Sequence, residues 1–197
     1  MRKTLDFFFD VGSPASWLAF TQVGAMAREA GAALRYRPML LGGVFQATGN
    51  ASPASVPAKG AYTFIDFDRF AKRYGVPLHR NPHFPIHTLG LMRAVTGMQM
   101  RHPEHFEPFT RAVFEAIWVQ SLNFNDAQVV ASALSAAGYA PEWVLPLMND
   151  PEVKAQLKAT TDEAVARGVF GAPTLFVGEQ MFWGQDRLDW VREALRA

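Results

Sequence analysis

The sequence predicts an α/β protein: a four-stranded mixed sheet flanked by helices and interrupted by a large helical insertion. Three observations carry this. A strand-helix-strand pattern opens the chain, a strand-strand-helix pattern closes it, and apolar positions recur at helical spacing through the middle. At 197 residues the chain suits one sizeable domain with an insertion. The expected division puts residues 1–60 and 169–197 in the sheet domain and residues 61–168 in an inserted helical subdomain.

Thr4 to Phe9 is Phe-rich, too short for a helix, and ends at Asp10-Val11-Gly12, so it reads as a buried strand. Ser13 followed by Pro14 is a helix start, with serine as N-cap and proline where its missing N–H costs nothing. Trp17, Phe20, Gly24 and Ala27 share one face of that helix and Gly31 closes it. Leu34 to Leu41 is the second strand, parallel to the first through a right-handed crossover. Gly42 to Gly60 holds four Gly, two Pro and two Ser and reads as a long loop. Helical spacing follows over Tyr62–Gly75, Leu89–Met100, Phe106–Val119, Ala127–Ala137, Trp143–Met148 and Val153–Ala166. Asn125-Asp126 and Asp150-Pro151 are start signals; Gly75, Gly138 and Gly168 are stops. The chain then reads as a strand from Thr174 to Val177, a turn at Gly178-Glu179, a strand through Trp183, and a helix from about Asp186 with Leu188, Val191, Ala194 and Leu195 on its apolar face. The two end units together compose a thioredoxin-like fold (βαβ and ββα halves), with the helical segment inserted between them.

Composition narrows the function. Hydrophobic residues make up 49% and charged residues 19%, enough for a packed core, which disfavours disorder. A net charge of +1 and no block of basic residues argue against nucleic acid. No apolar run approaches the roughly 18 residues of a membrane span, and the first residues read as mature protein, so the expected location is cytoplasmic. Cysteine is absent, which excludes disulfides, zinc-thiolate sites, iron-sulfur clusters and a cysteine nucleophile, and with them a dithiol oxidoreductase. Any sulfur chemistry must use a thiol from outside. No metal is expected: Pro82 and Pro85 break the helix that would align His79, His83 and His87, and His102 and His105 lack the HExxH spacing. Phe64, Phe67 and Phe70 recur at helical spacing and read as packing.

Two places can carry chemistry. Ser13 lies after a strand at a helix N-terminus, where unpaired N–H groups and the helix dipole favour an anion. A thiol of pKa near 8.5 is only about 3% ionised at pH 7, but about three-quarters ionised once its pKa falls to about 6.5. A guest thiol beside Ser13 would thus become a nucleophile, although Ser13 also reads as a helix cap and nothing more. Pro173, in Gly171-Ala172-Pro173-Thr174, can be cis and turn the Ala172 backbone outward toward an extended peptide, or it can simply initiate a strand.

Four segments, FFFDVGSPASWLA, GGVFQATGN with PAKGAY, GVFGAPTLFV and MFWGQDRLDW, in this order resemble the 2-hydroxychromene-2-carboxylate isomerase family. That family is similar to the kappa-class glutathione transferases and shares their DsbA-like thioredoxin fold. The resemblance implies glutathione as cofactor and Ser13 as catalytic residue, its hydroxyl donating to the glutathione thiolate. It implies that Asn50 and Lys59 reach the tripeptide, that Ala172 before Pro173 pairs with its cysteinyl backbone, and that Gln185 and Asp186 receive the γ-glutamyl end. It further implies a homodimer acting on a chromene carboxylate or a small aromatic 2-oxo acid in aromatic hydrocarbon catabolism, naphthalene breakdown included. A kappa-like transferase that conjugates electrophilic aromatics and a non-catalytic glutathione-binding module are the alternatives.

Overall fold

Alternating side chains of the first strand face two different layers, and this fixes the architecture around it. In the computed structural model, which describes residues 2–197, strand β1 (Thr4–Phe9) directs Leu5, Phe7 and Phe9 into the main core, while Phe8 belongs to a smaller core on the opposite face. β1 pairs in parallel with β2 (Ala33–Pro38) and antiparallel with β3 (Thr174–Val177), which pairs antiparallel with β4 (Gln180–Trp183). The resulting sheet order is β2-β1-β3-β4. This is the mixed four-stranded sheet expected from the two ends of the chain.

Helix α1 (Pro14–Glu29) crosses from β1 to β2, and Gly31 follows it with a φ of 60°. Of the four residues predicted to share a face, Trp17, Phe20 and Ala27 are buried and Gly24 is half-buried, and Trp17 and Phe20 pack against Phe114 of the central helices. The second strand ends at Pro38 rather than Leu41. From Leu41 the predicted long loop is overturned: α2 (Leu41–Thr48) forms first, a 3-10 turn spans Pro53–Ser55, and α3 (Pro57–Tyr74) begins inside the segment. The physical reason is tertiary. No side chain caps α2 locally, but its first amides are taken from elsewhere: Leu40 N–H donates to Thr161 Oγ1 (3.0 Å) and Leu41 N–H to Asp10 Oδ2 (2.9 Å). Two glycines of the segment, Gly43 in α2 and Gly60 in α3, are packing devices. A Cβ on Gly43 would stand 3.3 Å from Thr161 Cγ2, and one on Gly60 would stand 3.0 Å from the Ala54 backbone.

The middle of the chain is helical as predicted: α4 (Leu89–Arg101), α5 (Pro103–Trp118), α6 (Ala127–Ala136), α7 (Pro141–Asn149) and α8 (Pro151–Ala166). Asp126 and Asp150 cap α6 and α8, and Gly75, Gly138 and Gly168 take positive φ just after helices. The final helix is preceded by a 3-10 turn at Gln185–Arg187, so α9 runs from Leu188 to Arg196, with Leu188, Val191 and Leu195 buried.

α8 packs beside α2 on the Phe8 face, where a charge network crosses the small core. Asp6, only 3% exposed, accepts from Arg35 Nε (2.5 Å) and Arg167 Nη1 (2.9 Å). Arg167 also lies over the Phe176 ring, 3.8 Å from its centroid. Desolvation pushes the Asp6 carboxyl up, but the hydrogen bonds and charges of the two arginines prevail and hold it below the usual carboxylate value. A depressed carboxylate adds stability above its unfolded pKa of about 3.9, and that stability is lost as pH falls through the folded value. Asp6→Asn is therefore expected to lose about 1–3 kcal/mol at pH 7, with the deficit shrinking below about pH 4. Urea titrations at pH 7 and pH 3 check this; an equal deficit at both would contradict it.

Candidate active site at the start of the first helix

The segment Asp10–Ser13 is a tight connection between β1 and α1, and helices from both halves of the chain hold it in place. Asp10, 1% exposed, accepts three hydrogen bonds: Gly12 N–H (2.9 Å) on Oδ1, and Leu41 N–H (2.9 Å) and Thr88 Oγ1–H (3.0 Å) on Oδ2. Trp118 Nε1–H donates to Val11 O (2.8 Å), and Val11 N–H points to Met92 Sδ (3.4 Å). Gly12 admits no side chain, since a Cβ there would lie 2.7 Å from Thr88 Cγ2. The helical insertion therefore forms one wall of this loop.

Ser13 emerges from the loop as the N-cap of α1. Its Oγ accepts from Ser16 N–H (3.1 Å) and donates to Ala172 O (3.1 Å), and the residue is 5% exposed. The same hydroxyl thus caps the helix and ties it to the segment before β3. The Ala172-Pro173 peptide is cis. Among the described residues, the Ala15 and Ala172 amides donate to no protein group. Ser13 and the Ala172-Pro173 pair, 159 residues on in the sequence, stand together.

The other predicted residues gather less uniformly. Asn50, just past α2, donates from Nδ2 to Phe170 O (2.7 Å) and accepts from Ala51 N–H, which braces the approach to Ala172. Gly184 N–H donates to Pro173 O (3.0 Å), so Gln185 and Asp186 follow directly from the cis-proline turn. Gln185 is buried and its carbonyl accepts from Tyr74 Oη (2.6 Å); burial pushes the Tyr74 phenol up to about 12, leaving it a donor at neutral pH. Asp186 is exposed and paired with Arg187. Lys59 lies exposed in the first turn of α3 and, among the described residues, no ion pair or hydrogen bond of its ammonium joins it to the other candidates. Phe64, Phe67 and Phe70 pack against the core as predicted. No group of three His, Asp or Glu that could hold a metal ion occurs among the described residues.

Asp10, Thr88, Met92 and Trp118 were not singled out from sequence. Asp10 did leave a signal, a lone carboxylate between an all-Phe run and Val-Gly, whereas nothing local marks the other three.

A mixed four-stranded sheet with a cis-proline facing a helix N-terminus defines a thioredoxin-fold site, here with serine in place of a thiol. The profile of the DsbA-like thioredoxin domain matches residues 4–196, and the chain belongs to that family, in the group of the 2-hydroxychromene-2-carboxylate isomerases and kappa-class glutathione transferases. It is 31% identical to 2-hydroxychromene-2-carboxylate isomerase of Sphingobium xenophagum over 99% of both chains. It is 30% identical to glutathione S-transferase kappa 1 of Homo sapiens, over 99% of this chain and 92% of that one. A solved 2-hydroxychromene-2-carboxylate isomerase structure superposes with a TM-score of 0.83 at 26% identity, covering 98% of this chain and 94% of the other.

Burial is the dominant influence on Asp10, raising its pKa against the three hydrogen bonds that lower it. The folded state therefore holds the Asp10 proton more tightly than the unfolded chain does. This contribution to stability is complete below the unfolded value of about 3.9 and is lost as pH rises through the raised folded value. Asp10→Asn keeps one acceptor but sets an NH2 group against a backbone N–H, so a loss of about 1–3 kcal/mol is expected. The loss should be larger at pH 4 than at pH 7, the reverse of Asp6→Asn. Paired denaturant titrations read this, and a loss that grew with pH would be incompatible with it.

Proposed function

We propose that the protein is a glutathione-dependent isomerase that interconverts 2-hydroxychromene-2-carboxylate and trans-o-hydroxybenzylidenepyruvate. The observation that carries this reading is the Ser13 hydroxyl at the N-terminus of α1, bonded to the carbonyl before a cis-proline in a chain without cysteine. The similarity to isomerases and kappa-class transferases over the full chain supports the same cofactor.

The donor set suits a cysteinyl peptide. Ala172 offers an unpaired N–H to an extended backbone, and Ala15 offers another at the positive end of α1. Lys59 has no carboxylate partner among the described residues and is suited to one on the tripeptide. Asn50, Gln185 and Asp186 complete the binding set; for Asp186 to receive an ammonium group, that group must share it with Arg187. When bound, glutathione supplies a thiolate that can add reversibly to the conjugated 2-oxo acid and so permit rotation about a former double bond.

Ser13 has a single proton to give. In this structure it goes to Ala172 O, while the oxygen lone pair stays on Ser16 N–H. Rotation about the Cβ–Oγ bond turns the donor from the Ala172 carbonyl toward a neighbouring sulfur without surrendering the helix cap. The freed carbonyl can then accept from the cysteinyl N–H. Ligand binding thus exchanges one internal hydrogen bond for two to the ligand, and the amide and hydroxyl donors favour the thiolate over the thiol.

A transferase that releases a glutathione conjugate is the second reading, favoured by the kappa-class relatives; product mass spectrometry separates the two, because isomerisation returns glutathione unchanged. We further propose a homodimer working in the cytoplasm on intermediates of aromatic hydrocarbon breakdown.

The decisive measurement is absorbance on mixing protein, glutathione and the chromene carboxylate, where glutathione-dependent acceleration is expected. Ser13→Ala should cut the rate by about 10²- to 10³-fold and raise the pKa of the bound thiol, read from thiolate absorbance near 240 nm, roughly toward 8.5. Unchanged thiol ionisation in this variant would remove Ser13 from the mechanism.

A further inference from the structure

A cleft of about 610 Å³ opens between α2, α4 and α8, within the range of roughly 300–1,000 Å³ usual for small-molecule sites. Its apolar walls come from Leu40, Leu89, Leu157 and Val165. Its charged residues are Arg93, Lys154, Lys158 and Asp162. Lys158 and Asp162 neutralise each other across one helical turn (2.5 Å). Arg93 and Lys154 are half-buried, and neither side chain has an ion pair or hydrogen bond among the described residues. Two uncompensated cations inside a concave apolar wall focus positive potential there. α4 adds to it: the helix begins at Leu89, in the wall, with no side-chain cap on its first amides.

Two residues of the cleft wall are chain neighbours of groups that anchor the Ser13 loop. Leu40 and Leu89 adjoin Leu41 and Thr88, the two groups that share Asp10 Oδ2, and Asp10 Oδ1 holds Gly12 beside Ser13. An apolar lining with two uncompensated cations suits an organic anion that carries an apolar body.

We propose that this cleft binds the carboxylate of an aromatic or conjugated organic acid, with Arg93 and Lys154 as its counter-ions and the leucine walls covering its hydrocarbon body. The proposal goes beyond the isomerase reading and does not rest on it, since the cleft is lined by none of the residues gathered around Ser13.

Calorimetry with trans-cinnamate, its neutral amide and inorganic phosphate tests the proposal on the full chain. Cinnamate should bind, and the amide and phosphate should bind at least tenfold more weakly. Arg93→Ala and Lys154→Ala should each weaken cinnamate about 10- to 100-fold, the loss of one charge-assisted hydrogen bond. Arg93→Lys should recover part of the loss, and Lys72→Ala, which removes an exposed cation outside the cleft, should change affinity less than about twofold. Circular dichroism and melting confirm that the variants are folded; Arg93→Gln and Lys154→Gln replace any alanine variant that is not. Glutathione affinity and bound-thiol pKa should be unchanged throughout. Cinnamate binding indifferent to both cations, or matched by phosphate, overturns the assignment. If glutathione fails to bind while cinnamate still depends on Arg93, the isomerase reading falls and the anion site stands; if glutathione binds normally while cinnamate binding ignores both cations, the anion site falls and the isomerase reading stands.

Discussion

The position of Ser13 depends on a buried carboxylate three residues before it. Asp10 gathers donors from the β1–α1 loop, from the first turn of α2 and from the residue preceding α4. Each of the three segments brings a backbone or hydroxyl donor that would be costly to leave unpaired in an apolar surround. Trp118 and Met92 then close the remaining polar groups of Val11. A loop held by hydrogen bonds from helices on either side is a rigid platform, and rigidity is what a hydroxyl needs if it is to meet a ligand atom within hydrogen-bonding distance.

One strand and the loop that follows it carry two buried aspartates that respond oppositely to their surroundings. Asp6 faces two arginines, whose hydrogen bonds and charges overcome the cost of burial; Asp10 faces only neutral donors, and burial prevails. The difference reflects what the partners can offer. A guanidinium compensates an anion with full charge, whereas amide and hydroxyl dipoles compensate only part of the lost hydration. Asp6 consequently joins the sheet to the end of α8 through ion pairs, while Asp10 organises a loop through hydrogen bonds from neutral donors.

Ser13 combines two tasks that are usually separate. As an N-cap it uses a lone pair, and as a donor it uses its proton, so the helix start and the cis-proline segment are linked through one oxygen. A serine can do this because one hydroxyl oxygen both donates and accepts. The Phe-rich β1 and the almost wholly buried first half of α1 hold the two sides of this link in fixed register.

The sheet, its strand types and most helices were legible from local signals: Ser13-Pro14, Asp126, Asp150-Pro151 and the glycines at 75, 138 and 168 mark chain turns through their own backbone preferences. Ser13 as a helix start and Pro173 as the residue before a strand were legible as well, because these are local events; Asn50, Lys59, Gln185 and Asp186 came only from the family resemblance. The helix at Leu41–Thr48 was not legible, since its glycines argue against helix and its amides are satisfied by Asp10 and Thr161 from far along the chain. The same holds for Thr88 and Trp118 at the loop, and for Arg93 and Lys154 facing one cleft. Sequence alone determined the strands, most of the helices and where the helix capped by Ser13 begins, because propensity and capping act over a few residues. Only the tertiary structure decided which buried donors meet which acceptor, because that depends on packing between helices whose contacts no local pattern encodes.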